Sequence, residues 1–141
     1  MTHISQSEAD TRDIAKKLAE NAKPNEVYAL YGDLGVGKTA FAQGFAEGLK
    51  VTEPVCSPTF TIVQEYRDGR LPFYHFDVYR IGDSRELLEI GFDDYIYNDA
   101  VSLIEWANII EDILPPDSIR VTIEKDLDKG FDFRKITVEE S

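Results

Sequence analysis

The spacing of apolar positions changes several times along the chain, and each change predicts an element. From Ser7 to Ala22, the line Thr11, Ile14, Ala15, Leu18, Ala22 recurs at helical spacing, with Ser7 and Asp10 placed as a capping pair. Pro24-Asn25 breaks that helix, and Glu26 to Tyr31 reads as a short buried strand. Helical spacing returns in Phe41, Ala42, Phe45, Ala46 and Leu49, in a helix that ends near Gly48. Residues 54–60, with two prolines and no period, predict a loop. Thr61 to Arg67 and Leu71 to Asp77 read as strands joined at Asp68-Gly69, a hairpin signal.

The second half continues in shorter pieces. Asp83-Ser84-Arg85-Glu86 opens a helical segment through Leu87, Leu88 and Ile90, stopped by Gly91. Phe92, Tyr95, Ile96 and Tyr97 form an aromatic cluster, read as core or sheet cover, with a partner-facing patch as the alternative. Val101 to Trp106 is a second buried strand, and Ala107 to Ile113 a short helix ended by Pro115-Pro116. Ser118 to Glu124 and Arg134 to Glu139 alternate with period two and predict a terminal hairpin across 126–130.

Composition narrows the class. The 141 residues, 43% hydrophobic, fit a single domain over 1–141 with a modest core. Fifteen Lys plus Arg against 27 Asp plus Glu give a formal charge of -12, which disfavours direct binding to nucleic acid. Cys56 is the only cysteine, so neither an internal disulfide nor a cysteine zinc site is possible, and Cys56 itself reads as a small packing residue. No run approaches about 18 apolar residues and the first residues have no signal-peptide pattern, so the expectation is a cytoplasmic protein without membrane association.

Candidate chemistry concentrates in Gly32-Asp33-Leu34-Gly35-Val36-Gly37-Lys38-Thr39, which matches the phosphate-binding pattern Gly-x-x-x-x-Gly-Lys-Thr between a strand and a helix. Glycines let the backbone amides turn inward on the phosphates, Lys38 brings a point charge, and Thr39 offers a hydroxyl to magnesium. The octet therefore predicts a nucleoside triphosphate site. The net charge does not oppose ATP, because magnesium, Lys38 and the amides act at contact range while distant carboxylates are screened beyond roughly 8 to 10 Å.

Other residues are candidates by position. The start of the first helix precedes the strand of the phosphate loop, so Glu8 or Thr11 could touch the adenine, the alternative being that the helix only covers the sheet. Thr59, with Ser57 as second choice, suits a nucleotide-sensing loop; an ordinary proline-stiffened turn is the competing reading. Asp77 and Glu105 each close an apolar strand, where a carboxylate can meet magnesium or orient water, and Glu105 is favoured of the two. The competing readings are a turn cap for Asp77 and an ordinary polar strand end for Glu105. His75 reads as a strand residue with a structural hydrogen bond rather than a general base. Arg80 reaches either a phosphate or an acidic surface loop, and Trp106 either packs or sits beside the site.

With that octet, Ser57-Pro58-Thr59-Phe60, Tyr74-His75-Phe76-Asp77-Val78-Tyr79-Arg80 and Glu105-Trp106, the chain resembles the TsaE family over nearly its whole length. These are small bacterial ATPases of tRNA threonylcarbamoyladenosine synthesis. The resemblance implies an α/β phosphate-loop NTPase fold in three layers, with a mostly parallel central sheet plus antiparallel hairpins, and ATP and Mg2+ as cofactors. It also implies TsaB and TsaD as partners, tRNA only indirectly, Thr39 and Glu105 as magnesium contacts, Asp77 as second acid, and Thr59 in the first switch. Lys38, Asp77 and Glu105 are the implied catalytic set. The family is expected to reset the TsaB–TsaD complex through ATP hydrolysis, slowly on its own because no free arginine finger is evident. A small-molecule kinase, a GTPase switch and a nucleotide-gated binding module are the alternatives. The GTPase lacks its Asn-Lys-x-Asp and Asp-x-x-Gly motifs here, and a kinase has little room for an acceptor domain and lid.

Overall fold

The computed structural model of the chain describes residues 1–32, 37–55, 62–79 and 83–140. Its seven strands are β1 (Thr2–Ser5), β2 (Val27–Tyr31), β3 (Val63–Tyr66), β4 (Phe73–Asp77), β5 (Val101–Glu105), β6 (Ile119–Lys125) and β7 (Arg134–Glu139). They form one sheet in the order β1-β7-β6-β2-β5-β4-β3. The central run β6-β2-β5-β4 is parallel, while β7, β1 and β3 add antiparallel pairings at the two sides. The central strands β2 and β5 are almost wholly buried because helices cover both faces, whereas β6 alternates buried Ile119, Val121 and Ile123 with exposed Arg120 and Glu124. Val101–Glu105, at the middle, has no exposed position.

Four helices, α1 (Glu8–Glu20), α2 (Lys38–Gly48), α3 (Ser84–Glu89) and α4 (Phe92–Ile96), and a 3₁₀ segment at Ala107–Ile113 make the outer layers. Leu30, Phe73, Val101 and Leu103 pack against Phe41, Phe45, Ala15 and Ala19 of α2 and α1. The alternate positions Ala29, Tyr74, Phe76 and Ile104 pack against Leu87, Phe92, Ile96 and Ile110 on the opposite side. This is the three-layer α/β arrangement of a phosphate-loop NTPase. The aromatic cluster divides accordingly: Phe92 and Ile96 are buried, whereas Tyr97 is exposed.

Local chemistry explains the helix limits. Ser7 Oγ accepts from Asp10 N, and Asp10 Oδ2 accepts from Gln6 N, so the expected capping pair forms one residue out of the usual reciprocal register. At the other end, Arg70 Nη2 donates to the carbonyls of Ala19, Glu20 and Ala22, tying the β3–β4 connection to the end of α1. That connection spans 67–72, longer than a two-residue turn, and Arg70 N also donates to Leu49 O at the end of α2. Helices α1 and α2 meet at Gly44 and Gly48, where a side chain would run into the α1 backbone.

Candidate functional site

The period of two along β4 and β5 decides which side chains face α2. Phe73 and Leu103 face it, so His75, Asp77 and Glu105 do as well. The strand register sets Asp77 opposite Glu105, and Glu105 opposite Leu30, close to where β2 runs into the octet. Two carboxylates and the start of α2 therefore share one sheet end, the C-terminal end of four parallel strands, where open α/β sheets take ligands.

The first turn of α2 begins at Gly37, whose φ of +101° only glycine adopts at ease. With no side chain, Gly37 cannot cap the helix, and α2 presents its positive end at this point. Lys38 is buried to 7% exposure; its Nζ donates to Gly32 O at 3.1 Å and stands 3.7 Å from the centre of the Trp106 ring. Trp106 adopts φ +63°, a left-handed conformation that bulky residues rarely hold, immediately after Glu105. Its ring meets exposed Tyr79 at 4.8 Å, so Trp106 lies beside Lys38 and does not merely fill the core.

The two acids differ. Glu105 is 4% exposed, and its Oε2 lies 2.7 Å from His75 Nε2 of a fully buried imidazole. Asp77 is partly buried, and its Oδ1 accepts from Tyr79 N at 3.0 Å, so it does cap a turn. Burial pushes the Asp77 carboxyl above its ordinary value and the nearby Glu105 charge adds to this, against the Tyr79 amide, His75 and Lys38, which lower it. A cation between these acids would relieve that cost. Thr39, on the first turn of α2, is the hydroxyl of the same region. The donors are hard oxygens, the kind that suits magnesium. Among the described residues no three His, Cys, Asp or Glu side chains gather into an ion cage.

A cavity of about 240 Å3 adjoins the start of α2, lined by Gly37 and Ala40, by Ser7, Glu8 and Thr11 of the α1 end, and by Lys125, Phe131 and Arg134 of the β6–β7 hairpin. It brings together the two residues singled out for the base. Thr11 is buried and its Oγ1 is 2.7 Å from Ser5 Oγ, whereas Glu8 is exposed with Arg12 at 3.8 Å. Lys125, Phe131 and Arg134 were not foreseen. Phe131 gave a signal, an aromatic among Asp, Lys and Gly in the segment between two strands, and unlike buried Phe133 it is 82% exposed at the cavity. Asp33, Leu34, Gly35, Val36, Cys56, Ser57, Thr59 and Arg80 lie outside the described residues.

A family model described as threonylcarbamoyl adenosine biosynthesis protein TsaE matches residues 5–135. A tRNA threonylcarbamoyladenosine biosynthesis protein TsaE of Bacillus subtilis (strain 168) is 50% identical over 128 residues, 91% of this chain and 78% of that one. The protein of the same name from Treponema pallidum (strain Nichols) is 34% identical over 138 residues, 98% and 99% of the two chains. Among solved structures, that of Bacillus subtilis YdiB superposes with a TM-score of 0.84 at 43% identity, covering 98% of this chain and 83% of the other. No helix among the described residues is long and apolar enough to cross a membrane. With a family model matched along nearly its full length and relatives this similar, the chain belongs to the TsaE family of tRNA threonylcarbamoyladenosine biosynthesis proteins.

Proposed function

We propose that the chain is the ATP-binding and ATP-hydrolysing subunit needed for N6-threonylcarbamoyladenosine at position 37 of tRNAs that read codons beginning with adenine. Its hydrolysis of ATP resets the TsaB–TsaD complex between turnovers, and tRNA is met only through that complex. The observation that carries this reading is the succession of β2, the Gly32–Thr39 octet and α2, with buried Lys38 at the helix start and two strand-end carboxylates at the same end of the sheet. The charge of -12 supports an indirect relation to tRNA, and the single cysteine suits the cytoplasm.

The residues divide the work. Amides of the octet and the α2 start bind the β- and γ-phosphates, and Lys38 exchanges Gly32 O for phosphate oxygens. Glu105 or Asp77 orients the attacking water. Thr39 and Glu105 would hold Mg2+, with Asp77 acting through water and phosphate oxygens completing the ion's ligands. Mg2+, when bound, neutralises charge on the phosphoryl oxygens. The cavity beside Gly37 takes the adenine, with Glu8, Thr11 and Phe131 at its edge.

The test is ATP hydrolysis by the purified chain, alone and with TsaB and TsaD, for the native sequence and Glu105→Ala. Slow turnover alone, strong stimulation by the pair, and loss of tRNA modification in a Glu105→Ala variant that still binds ATP are expected. Full modification with that variant overturns the resetting role in favour of a nucleotide-gated binding module. Phosphate transfer to an added acceptor would indicate a kinase.

A further inference from the structure

We infer that His75 is a positioning residue for Glu105: its imidazole fixes one carboxylate oxygen so that the other faces the phosphate end of the site. The inference rests on the nucleotide and magnesium reading above. His75 lies on β4 with no exposed surface, two residues before Asp77 and on the same face. Its Nε2 stands 2.7 Å from Glu105 Oε2, a bond that joins two adjacent strands of the parallel core.

Burying a carboxylate is costly unless a donor meets it, and a donor on a rigid strand meets it in one orientation. The ring is confined by its complete burial and lies nearly parallel to Phe73, with centroids 6.1 Å apart and planes at 10°. A neutral imidazole that donates through Nε2 to a Glu105 oxygen keeps its lone pair on Nδ1. That Nδ1 is buried and has no hydrogen-bond partner among the described residues. A histidine kept for the core alone would satisfy both nitrogens; this one leaves a nitrogen unpaired and spends its single polar contact on Glu105. Oε2 is thereby committed to His75, and Oε1 is the oxygen offered to the ion or to water. Outer partners of this kind orient metal-binding carboxylates and are worth roughly 10–100-fold in metal affinity.

The experiment measures binding of a fluorescent ATP analogue by the full chain, first in EDTA and then across a Mg2+ titration, with Mn2+ binding followed by electron paramagnetic resonance. His75→Phe keeps the ring stack and removes the donor; His75→Gln returns a donor at the reach of Nε2, whereas His75→Asn is too short. His75→Phe and His75→Asn should raise the half-saturating Mg2+ and Mn2+ concentrations about tenfold or more, with metal-free affinity unchanged. His75→Gln should recover much of the loss. In a Glu105→Ala background His75→Phe should add nothing. Equal metal half-points in the native chain and His75→Phe overturn the inference, as does an additive effect in the double variant. Should His75→Phe fail to fold, the Gln and Asn variants decide, and equal metal half-points for those two overturn it. If the native chain binds the analogue with no dependence on metal, the functional reading itself falls, and the inference with it.

Discussion

Gly44→Ala tests the contact that seats the phosphate-loop helix. An ideal Cβ on Gly44 would lie 2.6 Å from Arg12 Cα, whereas unstrained carbon contacts are about 3.5–4.0 Å. The atoms it meets are α1 backbone, which cannot rotate aside as a side chain can, so α1 and α2 must separate by about 1 Å. A gap of that size forfeits roughly a quarter to a half of each dispersion contact around it, here those of Ala15, Ala19, Phe41 and Phe45. Overpacking costs about 1–3 kcal/mol, and against backbone atoms this close the upper end applies, about 2–3 kcal/mol, of which the better helix propensity of Ala returns about 1 kcal/mol. The net is destabilisation by about 1–2 kcal/mol, or a fall in melting temperature of roughly 3–7 °C for a chain of this size. Calorimetry beside Glu47→Ala, on the exposed face of the same helix, supplies the comparison; that variant should stay within about 0.5 kcal/mol of the native protein. An unchanged or raised melting temperature for Gly44→Ala would refute the close α1–α2 approach.

Two further outcomes follow from the site. The Asp77 carboxyl is held above its ordinary value by burial, so the folded state binds a proton more readily than the unfolded chain, and the stability tied to that proton is lost as pH rises through the folded value. Asp77→Asn should therefore melt higher than the native protein at pH 7, with the gap closing as pH falls below the usual aspartate range of about 3.9; a constant gap in melting scans across pH would contradict this. Phe131→Ala, at an 82% exposed position, should leave stability unchanged and weaken ATP binding by about 1 kcal/mol, roughly fivefold in titration calorimetry, by removing a stacking surface from the base cavity. Unchanged affinity would place the base elsewhere.

What was legible in the sequence was local. The octet is contiguous, and the apolar runs around it announce β2 and α2 within a residue or two of their observed limits. The hairpins and the strand-end positions of Asp77 and Glu105 were equally local signals. Strand β1 was missed because Thr2–Ser5 buries only Ser5; backbone pairing with β7 holds it, including the N-terminal amine on Val138 O, 137 residues away. The predicted helix at Ala107–Ile113 is a 3₁₀ segment, broken by a non-helical φ/ψ at Ile110.

The site was legible only in parts, because its parts meet through the sheet order rather than through the chain. Asp77 and Glu105 were each weighed alone, as a possible cap and a possible ordinary strand end. Only the parallel register of β4 with β5 makes them opposite partners, and Asp77 turns out to combine the turn bond with its place at the site. The same register explains His75: a structural hydrogen bond was expected, but the partner is Glu105, 30 residues on, which a reading of β4 by itself cannot supply. The base cavity repeats the pattern. Glu8 and Thr11 belong to α1, Phe131 and Arg134 to the β6–β7 hairpin, and they meet because β1, leading into α1, pairs with β7. Ser5 Oγ and Thr11 Oγ1, 2.7 Å apart and buried, lock that edge strand to the helix. The strand missing from the sequence reading is thus the one that ties the α1 wall of the pocket to the β6–β7 wall, although none of its own residues lines the cavity.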